Sequence, residues 1–337
     1  MLDIAILHQV DPRVSQKHVQ SMRRHQHERS TPHGEHRAVL LDEVLRILDP
    51  QSGMVIVDCT VGWAGHSAEL LKRVGPTGLL IGLDMDGENL PKAKERLDAI
   101  GHPYHLHHGN FAGLQQALGA HGLTLADAIL ADLGMSSMQV DDPERGFSYS
   151  RDGTLDMRMD RSRGRTAAQV LATISKAELA DALKTWGDEP AANRIATAIL
   201  EARSQTPIAT TKQLAAIIQA AVNQGSWRLH PAPGTWNLHP AAHTFQALRI
   251  LVNRELANLE HLLRLLPVTL KPGGRAAIIS FHSGEDRLVK AGFREGRESG
   301  VYAAISSDPV RASSAERTSN PRSRSAKLRW GERGLIH

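Results

Sequence analysis

The sequence predicts an α/β fold in which a mostly parallel, Rossmann-like sheet carries an inserted α-helical domain. Apolar, strand-like runs alternate with helical runs from about residue 54 onward, and polar residues follow the ends of these runs. A purely helical pattern over 166–222 then interrupts the alternation, which resumes near residue 244. The 337 residues are 41% apolar, which is enough for a sizeable core.

The first half of the sheet follows from residues 54–84. Residues 54–58 form an apolar run typical of a buried strand, 59–67 form a glycine-containing turn, and 68–73 continue as a helix. A second apolar run over 79–84 ends in Asp84. A strand, a glycine turn, a helix and a second strand ending in a carboxylate are typical of one half of a nucleotide-binding sheet.

The remaining elements follow in chain order. A helix with apolar residues at helical spacing precedes the first strand and ends at Asp49 and Pro50. The other predicted elements are a helix over 90–100, a strand over 104–108, a helix over 114–118, a strand over 127–132, a helix over 244–266, a strand over 275–280 and a last strand over 326–330.

These elements predict three parts. Residues 1–35 have little apolar periodicity and form a flexible extension. Residues 36–140 and 241–337 form one discontinuous sheet domain, with a mobile loop over 303–325 that is rich in Ser, Arg and Ala. Residues 141–240 form an inserted helical domain for substrate recognition.

Composition excludes several classes of protein. The single cysteine, Cys59, rules out a disulfide framework and fits a reducing, cytoplasmic location. No run approaches the about 18 apolar residues that a membrane span needs, so no membrane role is indicated. Histidines at 102, 105, 107 and 108 lie on a predicted strand whose alternation points them to opposite faces, so we expect no metal site.

The glycine turn narrows the choice of cofactor. A dinucleotide fingerprint needs three small positions, and here Gly62, Ala64 and Ser67 occupy them. The β-carbon of Ala64 obstructs the approach of a pyrophosphate, which weakens an NAD interpretation. S-adenosylmethionine has no phosphate and needs a carboxylate that binds both ribose hydroxyls, and Asp84 stands at that position. The alternative is a doubly wound domain whose glycine turn and terminal Asp have no such role.

The fourth strand ends in Asp132, followed by Leu-Gly-Met-Ser-Ser137. Functional groups cluster beyond the carboxyl ends of parallel strands, so Asp132 should face the reactive end of the cofactor. It could accept a hydrogen bond from a target amine or hold the methionine ammonium group. Enzymes that methylate the amine of a base usually carry Asp, Asn or Ser followed by two prolines and an aromatic residue. This loop has the acid but neither the prolines nor the aromatic residue. Ser136 and Ser137 are candidate catalytic residues, or else a helix cap.

Cations and aromatic residues are mixed in the segment 144–165. Arg145 and Arg158 are among six arginines near Phe147 and Tyr149, a combination that single-stranded RNA binding uses. A solvated loop joined by salt bridges is the alternative.

Two regions near the end of the chain add candidates for substrate binding. Arg322 and Arg324 belong to a basic stretch suited to a phosphate backbone. His282 follows the fifth strand at the functional edge of the sheet, although residues 282–286 also fit a helix start.

Several long motifs resemble one known family, the bacterial 16S ribosomal RNA cytosine-N4 methyltransferases, called RsmH or MraW. The resemblance covers about residues 36–333 and includes Asp132-Leu-Gly-Met-Ser-Ser137, Glu144-Arg-Gly-Phe-Ser148, Asp152-Gly-Thr-Leu-Asp-Met-Arg-Met-Asp160, His239-Pro-Ala-Ala-His-Thr-Phe-Gln-Ala-Leu-Arg249, Ile279-Ser-Phe-His-Ser283 and Asn320-Pro-Arg-Ser-Arg-Ser-Ala326.

The resemblance implies a class I S-adenosylmethionine-dependent methyltransferase acting on N4 of a cytosine in the decoding region of 16S rRNA. The partner would be 16S rRNA or the small ribosomal subunit. The cofactor contacts that it implies are Ala64, Gly65, His66, Asp84, Phe111, Asp132 and Gln139.

Two positions depart from the family pattern. Ala64-Gly65 stands where the family has paired glycines, and Gly284 replaces a larger residue before Glu285. The first could reshape the cofactor contact, and the second makes the helix after the fifth strand less certain.

Other functions stay open on the sequence alone. They are a non-catalytic RNA-binding assembly factor, a methyltransferase acting on another nucleic-acid amine, and an NAD-dependent dehydrogenase. The oligomeric state, including a homodimer, and the choice between free RNA and an assembled subunit are also open.

Overall fold

The structure, a computed structural model, describes residues 37–223 and 239–335, so the predicted extension over 1–35 lies outside the described residues. A seven-stranded sheet with the order β3-β2-β1-β4-β5-β7-β6 forms the centre of the fold. The strands are β1 (Val55–Asp58), β2 (Leu79–Asp84), β3 (Tyr104–His108), β4 (Ala126–Asp132), β5 (Leu270–Ser280), β6 (Tyr302–Ile305) and β7 (Lys327–Arg333).

Strands β1 to β5 are parallel, and β7 runs antiparallel to both β5 and β6. Of the parallel strands, β1, β2 and β4 are near-continuous apolar runs because helices cover both faces of the sheet. β1 pairs with β2 on one side and β4 on the other, so the strand order reverses there. A crevice opens beyond the carboxyl ends of strands at such a switch point.

Thirteen helices of five residues or more are present in the described part of the chain. They are α1 (Leu41–Leu48), α2 (Gly65–Val74), α3 (Leu90–Asp98), α4 (Leu114–Gly119), α5 (Ser137–Asp141), α6 (Ala167–Thr173), α7 (Lys176–Gly187), α8 (Ala192–Gln205), α9 (Thr211–Asn223), α10 (Ala242–Asn253), α11 (Glu255–Thr269), α12 (Ser283–Glu298) and α13 (Ser314–Ser319).

The prediction of one helix over 244–266 is wrong. The helices α10 and α11 meet at Arg254, whose φ of 53° is left-handed and ends the first helix. The break is bridged by Arg249, which donates from two nitrogens to the Glu255 carboxylate at 2.8 Å each. This paired contact joins two helices that would otherwise form one rod.

The prediction of an unstructured loop over 303–325 is also wrong. β6 and α13 lie in this region, and a single-turn helix follows over Pro321–Arg324. Gly284, by contrast, does not disturb the start of α12, because His282 and Glu285 form a reciprocal capping box there.

The insertion packs around its own apolar core. Leu171, Leu183, Ile195 and Leu214 from α6 to α9 form this core, which also includes Phe245 of α10. The insertion therefore rests on the sheet domain through α10, and its limits at 141 and 240 stay a prediction. In the described residues, no helix is both long and apolar enough to cross a bilayer.

Candidate active site

A cleft of about 1010 Å³, partly open to solvent, lies beyond the carboxyl ends of β1, β2 and β4. Its walls come from the glycine loop, the tips of these strands, the loop after β4, and the junction of α10 and α11. The lining residues include Gly62, Gly65, His66, Asp84, Asp86, Phe111, Asp132, Met135, Ser136, Gln139, Met159, Asn253, Glu255, Glu285 and Arg322.

The glycine loop keeps its tight turn despite the alanine. Ala64 has a φ of 59°, a left-handed conformation that costs a non-glycine residue about 1–2 kcal/mol, and α2 begins directly after it. Ala64 itself is fully buried, so its side chain packs inside the protein and does not line the cleft. Gly65 and His66 face the cleft. A β-carbon at Gly65 would lie 3.3 Å from that of Ala38, which explains why this position stays small.

Asp84 lies at the tip of β2 and is almost fully buried. Its Oδ2 accepts the backbone N–H of Gly62 at 2.6 Å, and its Oδ1 accepts that of Asp86 at 2.7 Å. Burial raises the pKa of Asp84 to about 6, although these N–H groups oppose the shift. The carboxylate is thus fixed against the glycine loop, where it can accept the ribose hydroxyls of an adenosine ligand.

Asp86, which the sequence analysis missed, ties this tip to the insertion. Its Oδ2 accepts a hydrogen bond from Nε2 of Gln139 and pairs with Nη2 of Arg145, both at 2.7 Å. Gln139 also accepts the N–H of Ser136. Gln139 therefore lines the cleft as part of a buried polar network. The only sequence signal for Asp86 is its position two residues after Asp84.

Phe111 is half-buried and lines the cleft beside β2 and β3. It begins a single-turn helix that Asn110 caps by accepting the N–H of Ala112 at 2.9 Å. The ring is therefore held where the adenine half of a ligand bound at Asp84 would lie.

Asp132, at the tip of β4, is the central group of the cleft. Within the described residues its Oδ1 is buried and has no hydrogen-bond partner. Its Oδ2 lies 3.7 Å from Nδ1 of His66. Burial raises the pKa of Asp132 to about 6, and the charges of His66 and Arg322 oppose this shift. A buried acceptor without a partner is costly in a folded protein, so it indicates a ligand that donates to it.

The loop after Asp132 leads into α5. The hydroxyl of Ser136 accepts the N–H of Gln139 at 3.2 Å, which makes Ser136 the N-cap of this helix. Of Ser137, the first residue of α5, the structure describes the backbone and not the side chain.

A second charged group lies at the far end of the cleft. Glu255 and Glu285 line it, and with His282 they are the one set of residues in the described ranges close enough to share a metal ion. Arg249 neutralises Glu255. Nδ1 of His282 accepts the N–H of Glu285 at 3.4 Å. Its Nε2 lies 3.2 Å from Oε1 of Glu285 and has no hydrogen-bond partner in the described residues.

Most of the residues predicted to contact RNA in the segment 144–165 have partners within the protein. Arg145 is 3% exposed and bonds to Asp86, Glu88 and two carbonyl oxygens. Phe147 is buried in the core of the insertion. Arg158 forms paired bonds to Asp156, which shows that the salt-bridge alternative applies to part of this segment.

The remaining predicted residues differ in exposure. Arg322 lines the cleft and donates to the carbonyl of Met135. Its positive charge interacts with the carboxylate of Asp132. Arg324 is exposed and donates to the carbonyl of Arg317. Arg161 and Arg163, two of the other arginines in the segment 144–165, have side chains that are 41% and 65% exposed and lie beside Glu88 and Asp160 respectively.

The strand order, the glycine loop and the carboxylates at the tips of β2 and β4 define a class I methyltransferase. Its donor set fits S-adenosylmethionine. Asp84 can bind the ribose hydroxyls, Phe111 can lie against the adenine, and the unpartnered oxygen of Asp132 faces the reactive end.

The chain belongs to the MraW methylase family, whose profile matches residues 33–334. It is 45% identical over 315 residues to the ribosomal RNA small subunit methyltransferase H of Citrifermentans bemidjiense, covering 88% of this chain and 98% of that protein. The protein of the same name from Acidobacterium capsulatum is 43% identical over 306 residues, with the same coverage.

A solved S-adenosylmethionine-dependent O-methyltransferase from Thermotoga maritima aligns over 90% of this chain and 69% of its own length. The TM-score is 0.40 and the identity 11%. Similarity at this level says nothing about the reaction.

Proposed function

We propose that the protein transfers the methyl group of S-adenosylmethionine to the exocyclic N4 amine of a cytosine in the decoding region of 16S rRNA. The curated relatives are named as small-subunit rRNA methyltransferases, which supports the RNA class and the ribosomal partner. A ribosomal substrate supports a cytoplasmic location. The single observation that carries the amine assignment is the buried, unpartnered Oδ1 of Asp132.

The amine assignment follows from what Asp132 can bind. A carboxylate only accepts hydrogen bonds, so its open oxygen selects a group that carries hydrogens. The exocyclic amine of cytosine is such a group, whereas the O4 of uracil would leave the oxygen unpaired. The same oxygen could hold the ammonium group of the cofactor. The two roles differ in whether loss of Asp132 affects turnover or cofactor affinity.

The protein needs no activated nucleophile for this reaction. S-adenosylmethionine, when bound, supplies a methyl group on a positively charged sulfur. Asp132 orients the amine so that its lone pair points along the C–S bond, and it takes up the proton that the nitrogen loses. Phe111, Leu133 and Met135 line the cleft with apolar surface, which limits access of water to the reacting atoms.

The target cytidine must leave its stack to reach the tip of β4, because the cleft lies between the sheet edge and the insertion. Met159 lines the cleft from the insertion side, where its N–H donates to Oδ1 of Asn253 at 2.7 Å. Exposed cations of the insertion and of the stretch over 321–324 would contact the flanking phosphates. Arg161, Arg163 and Arg324 are the proposed contacts.

Methyl transfer is tested with labelled S-adenosylmethionine and small subunits that lack the modification, with naked 16S RNA as the comparison. The labelled nucleoside is then identified by mass spectrometry. We expect the label on N4 of one cytosine. Label on a ring carbon, a ribose or another base would reject the assignment. RNA binding without transfer would instead support a non-catalytic assembly factor.

A further inference from the structure

His66 is held in one orientation by a backbone carbonyl. It lies in the first turn of α2, and its Nε2 lies 2.9 Å from the carbonyl oxygen of Val39. Because a carbonyl can only accept, Nε2 must carry a proton. The other nitrogen, Nδ1, therefore faces Oδ2 of Asp132 at 3.7 Å.

The segment that supplies Val39 is itself anchored to the far end of the chain. The N–H of Leu40 donates to Oε1 of Glu316 at 2.8 Å, and Val39 is buried. The ring of His66 is buried as well, so it cannot turn away from Asp132 without losing its bond to the carbonyl. This arrangement fixes Nδ1 toward the carboxylate.

Charges of both signs act on Asp132. Burial raises its pKa, His66 from α2 and Arg322 oppose this rise, and Asp58 from β1 and Glu285 from α12 add to it. Asp58 is also buried and accepts a hydrogen bond from the Ser67 hydroxyl at 2.6 Å. Burial likewise raises the pKa of the Cys59 thiol, which stays neutral. Within the part of the chain that the structure describes, His66 and Arg322 are the two groups named above that favour the carboxylate form of Asp132.

We propose that His66 is a positioning residue that acts through Asp132, holding this carboxylate ionised so that its free oxygen can accept the proton of the target amine. This role rests on the proposed function. A second proton on Nδ1 gives an imidazolium that donates to Val39 on one side and pairs with Oδ2 of Asp132 on the other. Oδ1 stays open toward the amine.

The lone pair of N4 forms the bond to the methyl carbon, and the electron pair of the C–S bond stays on sulfur. N4 then carries one hydrogen too many, and that proton moves to Oδ1 of Asp132. The positive charge of the sulfonium ends as a neutral carboxyl group beside a neutral thioether, and the carboxyl proton returns to solvent before the next turnover.

The test is the pH dependence of kcat on small subunits. The variant His66→Gln keeps an N–H for Val39 and cannot carry a charge. We expect its acid limb to move to higher pH by about one unit, since an opposite charge a few ångströms away lowers a carboxyl pKa by about 1–3 units. With S-adenosylmethionine saturating, the ratio of variant to wild-type kcat should be about threefold lower at pH 6.5 than at pH 8.5. His121→Gln, outside the cleft, is the matched control.

Two further measurements distinguish a role of His66 through Asp132 from a purely structural role. The variant His66→Asn, which retains an N–H near the Nδ1 position, should lie between wild type and His66→Gln. Nitrogen NMR of histidine-labelled protein should show that the Nδ1 signal of His66 responds when Asp132→Asn removes the carboxylate charge. A loss of activity equal at all pH values, or an Nδ1 signal that does not respond, overturns this role. Label on another atom in wild type would overturn the proposed function instead.

Discussion

The sequence predicts functional roles for two regions, the tips of β2 and β4 and the arginine-rich segment 144–165. The two regions differ in whether their polar side chains find partners within the protein. At the strand tips, Asp84 and Asp132 face the cleft as the parallel-strand pattern predicts, and one oxygen of Asp132 is left without a partner. In the segment, Arg145 and Arg158 form salt bridges with neighbouring carboxylates. Backbone topology determines where the strand-tip carboxylates lie, whereas side-chain pairing determines which arginines of the segment stay exposed.

Substitution of Asp132 gives the largest expected effect, because it removes the acceptor for the amine proton. Asp132→Asn should lower kcat by about 10²–10⁴-fold, the usual contribution of a positioned proton acceptor. KM for S-adenosylmethionine should change only a few-fold. Steady-state kinetics on small subunits measures both. Asp127→Asn is the matched control, since Asp127 lies at the other end of β4 and bonds to Val55 and Lys271.

The opposite pattern for Asp132→Asn would contradict this assignment. If kcat is kept and the cofactor affinity falls by orders of magnitude, Asp132 holds the methionine ammonium group. The strand tips would then form a cofactor site alone, and the residue that orients the amine would have to be sought among the other lining residues.

Substitution of Arg145 tests whether the salt bridges of the segment 144–165 stabilise the fold. Arg145→Met leaves the buried Asp86 without its cation, and breaking a buried pair in this way costs about 3–5 kcal/mol. Urea unfolding should show this loss of stability. Arg161→Met in the same segment, with an exposed side chain, should cost no more than about 1 kcal/mol. Normal stability with lost RNA affinity in Arg145→Met would instead return Arg145 to the RNA-contacting residues.

The sheet could be predicted from the sequence because its buried parallel strands, such as β2 and β4, are continuous apolar runs with polar ends. The break at Arg254 could not, since arginine carries no signal for a left-handed residue and the turn depends on the bond from Arg249 to Glu255. The strand β6 was missed because its four residues gain their partners from β7, far along the chain.

In the candidate site too, some features follow from the local sequence and others depend on distant residues. The tip carboxylates follow from strand register, which local sequence encodes. The segment 144–165 alternates arginines with several aspartates, so many pairings are compatible with its sequence. Which arginine is buried depends on Asp86, a residue of another element. Only the assembled fold selects that pair.

Asp84 should give the next smaller effect on ligand binding. Asp84→Asn weakens acceptance of the ribose hydroxyls, and hydrogen bonds to a charged group contribute about 1.5–3 kcal/mol, or about 10–150-fold in Kd. Calorimetry with S-adenosylmethionine measures this change, with the exposed Asp98→Asn as control. Turnover at saturating cofactor should be nearly unchanged.

The affinity of wild type for the cofactor should also depend on pH through Asp84. Burial raises the pKa of this carboxyl to about 6, and the ligand needs the ionised form. Lowering the pH through about 6 protonates Asp84 in the free protein, so the affinity for the cofactor falls in this range. Each binding event there releases the proton of Asp84. Above pH 7 the affinity should be constant. Affinity that rises on acidification would show that Asp84 does not accept from the ligand.

Arg324 gives the smallest expected effect and sharpens the contrast between buried and exposed arginines. Its exposed guanidinium donates to the Arg317 carbonyl, so it keeps capacity for a phosphate. Arg324→Ala should weaken 16S RNA binding a few-fold and reduce the slope of log affinity against log salt by about one unit. Fluorescence anisotropy over a salt series measures the slope. Arg294→Ala, an exposed arginine paired with Glu298 on α12, should leave it unchanged. Equal slopes in both variants would place the RNA path away from residues 321–324, and Arg161 and Arg163 would then be the next positions to test.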